Sequence, residues 1–551
     1  MKQRSQVKLL AASMLLALSL PAAAADISGN ISRFDLSSVQ EGESYNRFIV
    51  VYRNGSTEHA NPSAAVQAVT VAAGKAQLME QSGTTLSTNA LRSGGRMLGV
   101  NYNRKLAIGG DLVTTSRRLS ATETRQFVQR IAADPAVEFV QPDYMRHALS
   151  KPVQAQPAGA ATFTTPNDQY YAAYQWDYLA ANGTAFSDSS LGTSVANWGG
   201  ANIQQAWTLA DGTGITIASL DTGVTNHPDL DLTLAASGYD FISTALVSGR
   251  AADGRAAGGW DTGDWTTGSK YLASNGGCVD STHPAENSSW HGTHVFGTAG
   301  GEKTNNGTGM VGTAFGAKVL PVRVLGHCGG YDSDIADAIT WASGGHVNGV
   351  PDNTHPAQVI SMSLGGSGTC TSSTITGKAI SGAISRGATV VVAAGNSNAN
   401  VSGFSPASCP GVVAVAATGI TSRRAYYSNY GAGITLAAPG GGVYANDGSS
   451  GTQATTGFIW STIDSGTTSP SGSTYGGMAG TSQATPHVAG AVALMQSYRL
   501  ALGKALLTSA QITSLLKSSA TKPHVAASQT KPIGAGILNT YAAVQAAGAQ
   551  P

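Results

Sequence analysis

The sequence predicts an α/β protein built on a mostly parallel, doubly wound sheet, preceded by a small α+β domain. Three observations predict it. Beyond residue 165, short β-branched runs alternate with helical patterns. Charge density falls sharply near residue 150, and the chain from Ser150 to Thr165 is rich in Pro, Ala and Gln without hydrophobic periodicity.

The first segment, 1–25, reads as an export signal. Lys2, Arg4 and Lys8 give a basic start, and Leu9 to Leu20 is an apolar run too short to span a bilayer. Pro21 and Ala22 to Ala25 then supply small residues for cleavage after Ala25. From Asp26 to Ser150, 24 of 125 residues are charged, about 19%; from Lys151 to Pro551 only 36 of 401 are, about 9%. The expected organisation is therefore a signal (1–25), a small domain (26–150), a linker (151–165) and a large Gly-rich domain (166–551).

In the small domain, Phe48 to Tyr52 reads as a strand. Ala121 to Ala132 reads as a helix with Phe127 and Ile131 on one face, and Val137 to Val140 as a second strand ending at Gln141-Pro142-Asp143. In the large domain the candidate strands are Ile215 to Leu220, Val319 to Val324, Val359 to Leu364, Thr389 to Ala394 and Val412 to Ala416. Ser333 could cap a helix carrying Ile335, Ile339 and Ala342. A second helix carries Ile375, Ala379 and Ala383, with Gly387 to stop it. Buried β-branched strands separated by helices make a parallel sheet with right-handed crossovers, in which sites gather at the carboxyl ends of the strands.

Composition removes several function classes. With 32 basic and 31 acidic residues the formal charge is +1, which argues against a nucleic-acid binder. Charged residues are only 11% and hydrophobic ones 42%, so the chain is not disordered by composition. Past the N-terminal run, no apolar stretch is long enough for a membrane span.

Three polar residues stand where the strand-end rule points. Asp221 ends the first strand in Ser-Leu-Asp-Thr-Gly-Val. His291 opens His-Gly-Thr-His-Val, after Asn287, Ser288 and Ser289, which could cap a helix. Ser482 lies in Gly-Thr-Ser-Gln-Ala-Thr-Pro-His-Val-Ala-Gly, entering a helix with Val488, Val492, Leu494 and Met495. A weak alcohol nucleophile needs a base to take its proton. The base in turn needs a carboxylate to fix its tautomer and stabilise the imidazolium. The order is Asp, His, Ser, with gaps of 70 and 191 residues. A lipase-type Gly-x-Ser-x-Gly elbow is absent. The four cysteines, all beyond residue 165, suit two disulfides in an exported domain, and four allow three pairings. A zinc set from Cys278, His283, His291 and His294 fits no common ligand spacing.

With these motifs in this order, the chain from Pro166 to about Ala546 resembles the subtilisin-like serine proteases. The resemblance implies Ser482 as nucleophile, His291 as general base and acid, Asp221 as its orienting partner and Asn396 as oxyanion donor. It makes the small domain an inhibitor-like propeptide, with Phe-Ile-Val-Val-Tyr and Val-Glu-Phe-Val-Gln-Pro-Asp matching that pattern. Substrate backbone would pair with Ser363-Leu364-Gly365 on one side and Gly329-Gly330 on the other. Ala394 and Gly395 would line the first pocket over Phe404. The implied disulfides are Cys278–Cys328 and Cys370–Cys409. One structural Ca2+ site is implied, from Asp168, Asp229 and Asn306 with carbonyls of Lys303, Thr308 and Met310. The stretch Asp253 to Asp261 has Ala256 and Gly258 where ligands of a second site would stand. The expectation is a secreted, monomeric endopeptidase of broad specificity on protein and peptide substrates, self-processed between Gln156 and Thr165 and inhibited by its own propeptide. The rival expectation is an inactive peptide-binding module of the same fold. Two departures from the family pattern are Gln483, where Met is common, and Phe296, where small residues are common.

Overall fold

The structure, a computed structural model, describes residues 32–80, 96–153 and 166–551; the expected signal and the 156–165 interval lie outside these residues. Among its described residues the N-terminal region is an antiparallel sheet with two helices longer than one turn. Its elements are β1 (Ser44–Tyr52), α1 (Pro62–Lys75), β2 (Val100–Lys105), β3 (Asp111–Ser120), α2 (Ala121–Ala132) and β4 (Val137–Pro142), in the sheet order β2-β3-β1-β4. Sequence dictates the start of α2. The Ser120 hydroxyl accepts the Glu123 amide while the Glu123 carboxylate accepts the Ser120 amide, a reciprocal cap. Phe127 on the buried face of α2 then meets Phe48 of β1 edge-on, with ring centroids 5.0 Å apart.

The chain continues past this domain in two short strands, β5 (Met145–Ala148) and β6 (Lys151–Val153), and both leave the N-terminal sheet. Their partners belong to the large domain.

That domain is built on an eight-stranded sheet. Its elements are β7 (Thr216–Asp221), β8 (Tyr239–Asp240), β9 (Ala256–Ala257), α3 (His291–Phe296), β10 (Lys318–Arg323), β11 (Gly330–Tyr331), α4 (Asp332–Ala342), β12 (Val359–Met362), β13 (Leu364–Ser367), α5 (Ile375–Ser385), β14 (Thr389–Ala393), β15 (Val413–Thr418), β16 (Leu436–Pro439), β17 (Ile459–Asp464), β18 (Ser473–Ala479) and α6 (Thr481–Ala501). The order is β9-β8-β10-β7-β12-β14-β15-β16, and only the β8–β9 pair is antiparallel. Successive strands lie on opposite sides of β7, so a topological switch falls beside Asp221.

Both faces are buried, as continuous apolar strands require. Leu220, Val322, Ile360 and Val392 pack on one side with Ile335, Ile339 and Ile380 of α4 and α5. Ile217, Val319, Val391 and Val415 pack on the other with Val488, Val492 and Leu494 of α6.

Two local expectations need correction. The run Val359 to Leu364 is two strands, because the chain leaves the main sheet at Ser363 so that Leu364 and Gly365 can pair with β5. Ser333 does not cap α4. The helix begins at Asp332 after Tyr331, and the Ser333 amide and hydroxyl both bind Asp143.

Candidate active site

Asp221 and His291 meet where the sequence places them. His291 Nδ1 lies 2.7 Å from Asp221 Oδ1, with both side chains shut off from solvent. The turn after β7 and the first turn of α3 are stitched together. The Gly292 amide donates to Thr222 Oγ1 (2.9 Å) and the Thr225 amide to Thr293 Oγ1 (3.0 Å). Gly292 is obligatory at this crossing, since an added Cβ would fall 2.2 Å from the Gly223 carbonyl oxygen. The boundary residue of α3 is Trp290, at φ +54°, and no side chain caps the helix in the usual way. The Ser289 hydroxyl instead accepts the His291 amide at 3.3 Å. Asp264 grips Ser289 through its amide (2.6 Å) and hydroxyl (2.7 Å). Asp261 accepts the Thr222 hydroxyl at 2.5 Å. Burial raises both of these carboxyls; Asp261, with Asp264 beside it, is pushed up to about 7. Sequence reasoning missed this supporting pair, whose only sequence signal was two aspartates in a Gly-rich loop.

Ser482 is the second residue of α6. Pro486 inside that helix has no N–H, so the Ser482 carbonyl loses its usual donor four residues on. The Ser363 hydroxyl fills the gap, donating to the Ser482 carbonyl at 2.8 Å. The Ser482 hydroxyl in turn donates to the Ser363 carbonyl at 2.9 Å, and His291 Nε2 is buried without a hydrogen-bond partner.

Asn396 closes the loop after β14. Its Oδ1 accepts both the amide and the hydroxyl of Thr481, each at 2.9 Å, which points Nδ2 into the cleft. The Thr481 hydroxyl also accepts the Gly395 amide at 3.0 Å. Asn429 pins the rest of the loop, accepting the Ser397 and Ala399 amides and donating to the Ala394 carbonyl. Neither Thr481 nor Asn429 was singled out from sequence. Thr481 stood inside a quoted motif, which was the available signal.

A strand of the chain itself fills the cleft. β5 runs antiparallel between β11 and β13, pairing Gly330 with Arg146, Gly365 with His147 and Leu364 with Ala148. The next carbonyl, that of Leu149, accepts a hydrogen bond from Asn396 Nδ2. Gly480 is the close approach that allows it: an added Cβ would stand 2.5 Å from the Leu149 oxygen. Past Ser150, β6 pairs antiparallel with β18. Phe404 lies beneath, in van der Waals range of both Gly365 and Gly395. The expected pocket and edge residues are thus brought together.

Residues 212–536 match the Subtilase family, more than half of the chain. The chain belongs to the subtilase family. It is a serine endopeptidase fold with close relatives. An extracellular protease of Xanthomonas campestris is 42% identical over 99% of this chain and 80% of its own length. An extracellular basic protease of Dichelobacter nodosus is 35% identical over 84% of this chain and 67% of its own. A solved protease of Pseudoalteromonas arctica is 43% identical, with TM-score 0.59, covering 70% of this chain and all of its own. Fervidolysin of Fervidobacterium pennivorans, at 23% identity and TM-score 0.56, covers 93% of this chain and 62% of its own and shows the fold alone.

The other expected residues of this subtilase fall as follows. Disulfides join Cys278 to Cys328 and Cys370 to Cys409, with Cα atoms 5.6 and 4.6 Å apart. The zinc set does not form, since Cys278 is in a disulfide and His291 is on Asp221. His294 Nε2 donates to the Ile459 carbonyl (3.1 Å), and burial together with the nearby His291 lowers it to about 3. His487 is held between Asp177 (2.7 Å) and the Gln483 carbonyl (2.8 Å). Phe296 is buried with its ring against Gly301, where an added Cβ would stand 2.3 Å away, and α3 passes there into a wide turn over Gly297–Gly301. Gln483 Nε2 reaches the Met478 sulfur at 3.6 Å. Asp168, Asp229, Asn306 and Met310 converge on one loop. Asp168 accepts the Asn305 and Asn306 amides, while Asp229 accepts Asn306 Nδ2 (2.7 Å) and the Met310 amide (3.0 Å). Thr308 joins them through the Asn306 side chain, and the Lys303 amide binds the Asp229 carbonyl. In the 253–261 stretch, Asp253 accepts the Ala245 amide and Asp261 supports Thr222. Among the described residues no helix is long and apolar enough to cross a membrane.

Proposed function

We propose that this subtilase is exported by its N-terminal signal as a precursor whose residues 26–149 are first its substrate and then its inhibitor, and that the first bond it cuts is Leu149–Ser150. One observation carries the reading. The Leu149 carbonyl receives the Asn396 side-chain amide while β5 pairs with both edges of the cleft. The bond after Leu149 therefore lies at the entry to α6, where Ser482 sits, and not in the 156–165 interval expected from sequence.

The chemistry follows from the groups present. Rotation about the Ser482 Cα–Cβ bond exchanges the Ser363 carbonyl for His291 Nε2, now without a partner. His291 takes the hydroxyl proton as Oγ attacks the carbonyl carbon. Asp221, bonded to Nδ1, stabilises the resulting imidazolium. Asn396 Nδ2 and the Ser482 backbone amide stabilise the oxyanion; the Thr481, Gln483 and Ala484 amides beside it are already bonded to Asn396 and to the Gly480 carbonyl. Collapse expels the amine, which takes the proton from His291, and water then repeats the sequence on the acyl-enzyme. Backbone pairing along β11 and β13 suits many sequences, so specificity is broad at most positions.

A structural calcium ion fits the loop at Asp168 and Asp229. Burial, with Asp168's charge added, pushes Asp229 up to about 6, and among the described residues neither carboxylate has an ion-pair partner. Hard oxygens from Asp168, Asp229 and Asn306, with the carbonyls of Lys303, Thr308 and Met310, would hold the ion and tie the loop to β7's side of the domain.

A serine-reactive fluorophosphonate tests the function. Wild-type protein should be labelled at Ser482 and digest casein, and Ser482→Ala should do neither. Wild-type protein with no label and no digestion would refute the reading in favour of a peptide-binding module.

A further inference from the structure

β5 shows how the cleft receives a chain, and one side chain on it is bound far more closely than backbone pairing requires. Counting Leu149 as the first residue before the cut bond, Arg146 is the fourth. Its Nε and Nη2 meet the two oxygens of Asp332 at 2.8 and 2.7 Å, and its Nη1 donates to the Ser367 carbonyl at 3.0 Å. Both side chains are buried, 4% and 3% exposed. The face of Tyr144 lies over the guanidinium at 5.6 Å. This is the planar two-point fit that a guanidinium makes with a carboxylate.

The neighbours of Asp332 show what this carboxylate is for. On the same helix, Asp334 and Asp337 also bind an arginine of the N-terminal domain, Arg104, but each is bonded as well by Arg255 of the large domain. They keep a cation when the N-terminal domain leaves. Among the described residues the Asp332 carboxylate has no partner except Arg146. Asp332 is thus a carboxylate beside the substrate-pairing residue Gly330 to which the described residues of the large domain supply no cation.

We propose that Asp332 makes this protease select a guanidinium-bearing residue at the fourth position before the cut bond, in proteins and peptides as in its own precursor. The inference rests on β5 lying as a substrate does, and it narrows an otherwise broad specificity at one position. Burial works against the charge of Arg146, and Asp332 more than offsets it, so the arginine stays charged in the site. An uncharged residue there would give the carboxylate neither of the guanidinium's two hydrogen bonds, whereas a second carboxylate would repel it.

The test uses quenched peptides X-His-Ala-Leu-Ser with X as Arg, citrulline, Ala or Glu, and mature enzyme. Citrulline keeps the shape of arginine and removes its charge. The Arg peptide should show kcat/KM about 30-fold above citrulline and Ala, with Glu lowest. Asp332→Asn should compress the Arg-to-citrulline ratio to about threefold or less. Should that variant fail to mature, the wild-type series alone decides. Equal rates for Arg and citrulline, with cleavage after Leu, would overturn the selectivity and leave the peptidase reading standing. Hydrolysis of none of the four peptides nor of casein would overturn the peptidase reading itself.

Discussion

Ser482 and Ser363 are hydrogen-bonded to each other twice, hydroxyl to carbonyl in each direction, at 2.8 and 2.9 Å. The first bond replaces the donor that Pro486 cannot supply, and the second holds the Ser482 hydroxyl while β5 fills the cleft. Ser363→Ala removes only the first and leaves the buried Ser482 carbonyl unpaired, a cost of about 1–3 kcal/mol. Made in the Ser482→Ala background to prevent self-digestion, the variant should melt several degrees lower by calorimetry. An unchanged melting temperature would show that the bond contributes nothing.

Thr481 bonds the side chain of Asn396, the proposed oxyanion donor, so its effect on the reaction would run through that side chain. Asn396→Ala should lower kcat by about 10²–10³, the loss found for the equivalent donor in the family relative subtilisin. Thr481→Val keeps the amide bond and loses the hydroxyl bonds. It should lower kcat about tenfold with KM nearly unchanged. A rise in KM at constant kcat would place Thr481 in substrate binding instead.

Gln483 follows Ser482 and meets Met478, which is fully buried. The wild type should therefore keep most of its activity in dilute peroxide. Gln483→Met should start at equal or higher kcat and lose it as the new thioether becomes a polar sulfoxide beside Ser482. Equal decay of both proteins, with no sulfoxide at position 483 by mass spectrometry, would refute this.

Calcium at the Asp168–Asp229 loop should raise the melting temperature of the Ser482→Ala protein, and chelation should lower it. Asp229→Asn should abolish the difference. A melting temperature indifferent to both calcium and chelator would remove the site.

Much of this was legible in the sequence. Asp221 at a strand end, His291 and Ser482 at helix starts, and the apolar runs of the sheet are all local patterns, and local patterns survive in one dimension. What was not legible depends on pairs remote along the chain. At Ser363, where the run of strand breaks, the hydroxyl serves a carbonyl 119 residues away. Asp264 steadies His291 through Ser289, 25 residues on. Composition marks the Pro- and Ala-rich linker, and so points to the 156–165 interval as the processing site. The bond proposed above, Leu149–Ser150, follows instead from the pairing of Leu364 and Gly365 with Ala148 and His147, and no composition records that pairing.

Maturation tests the account most directly. Wild-type precursor, made in a host lacking other proteases, should yield a first-formed large fragment beginning at Ser150 by N-terminal sequencing and intact mass. Ser482→Ala should remain one uncut chain. A first cut at any other bond with Leu149–Ser150 intact, or processing of the Ser482→Ala precursor, would contradict it.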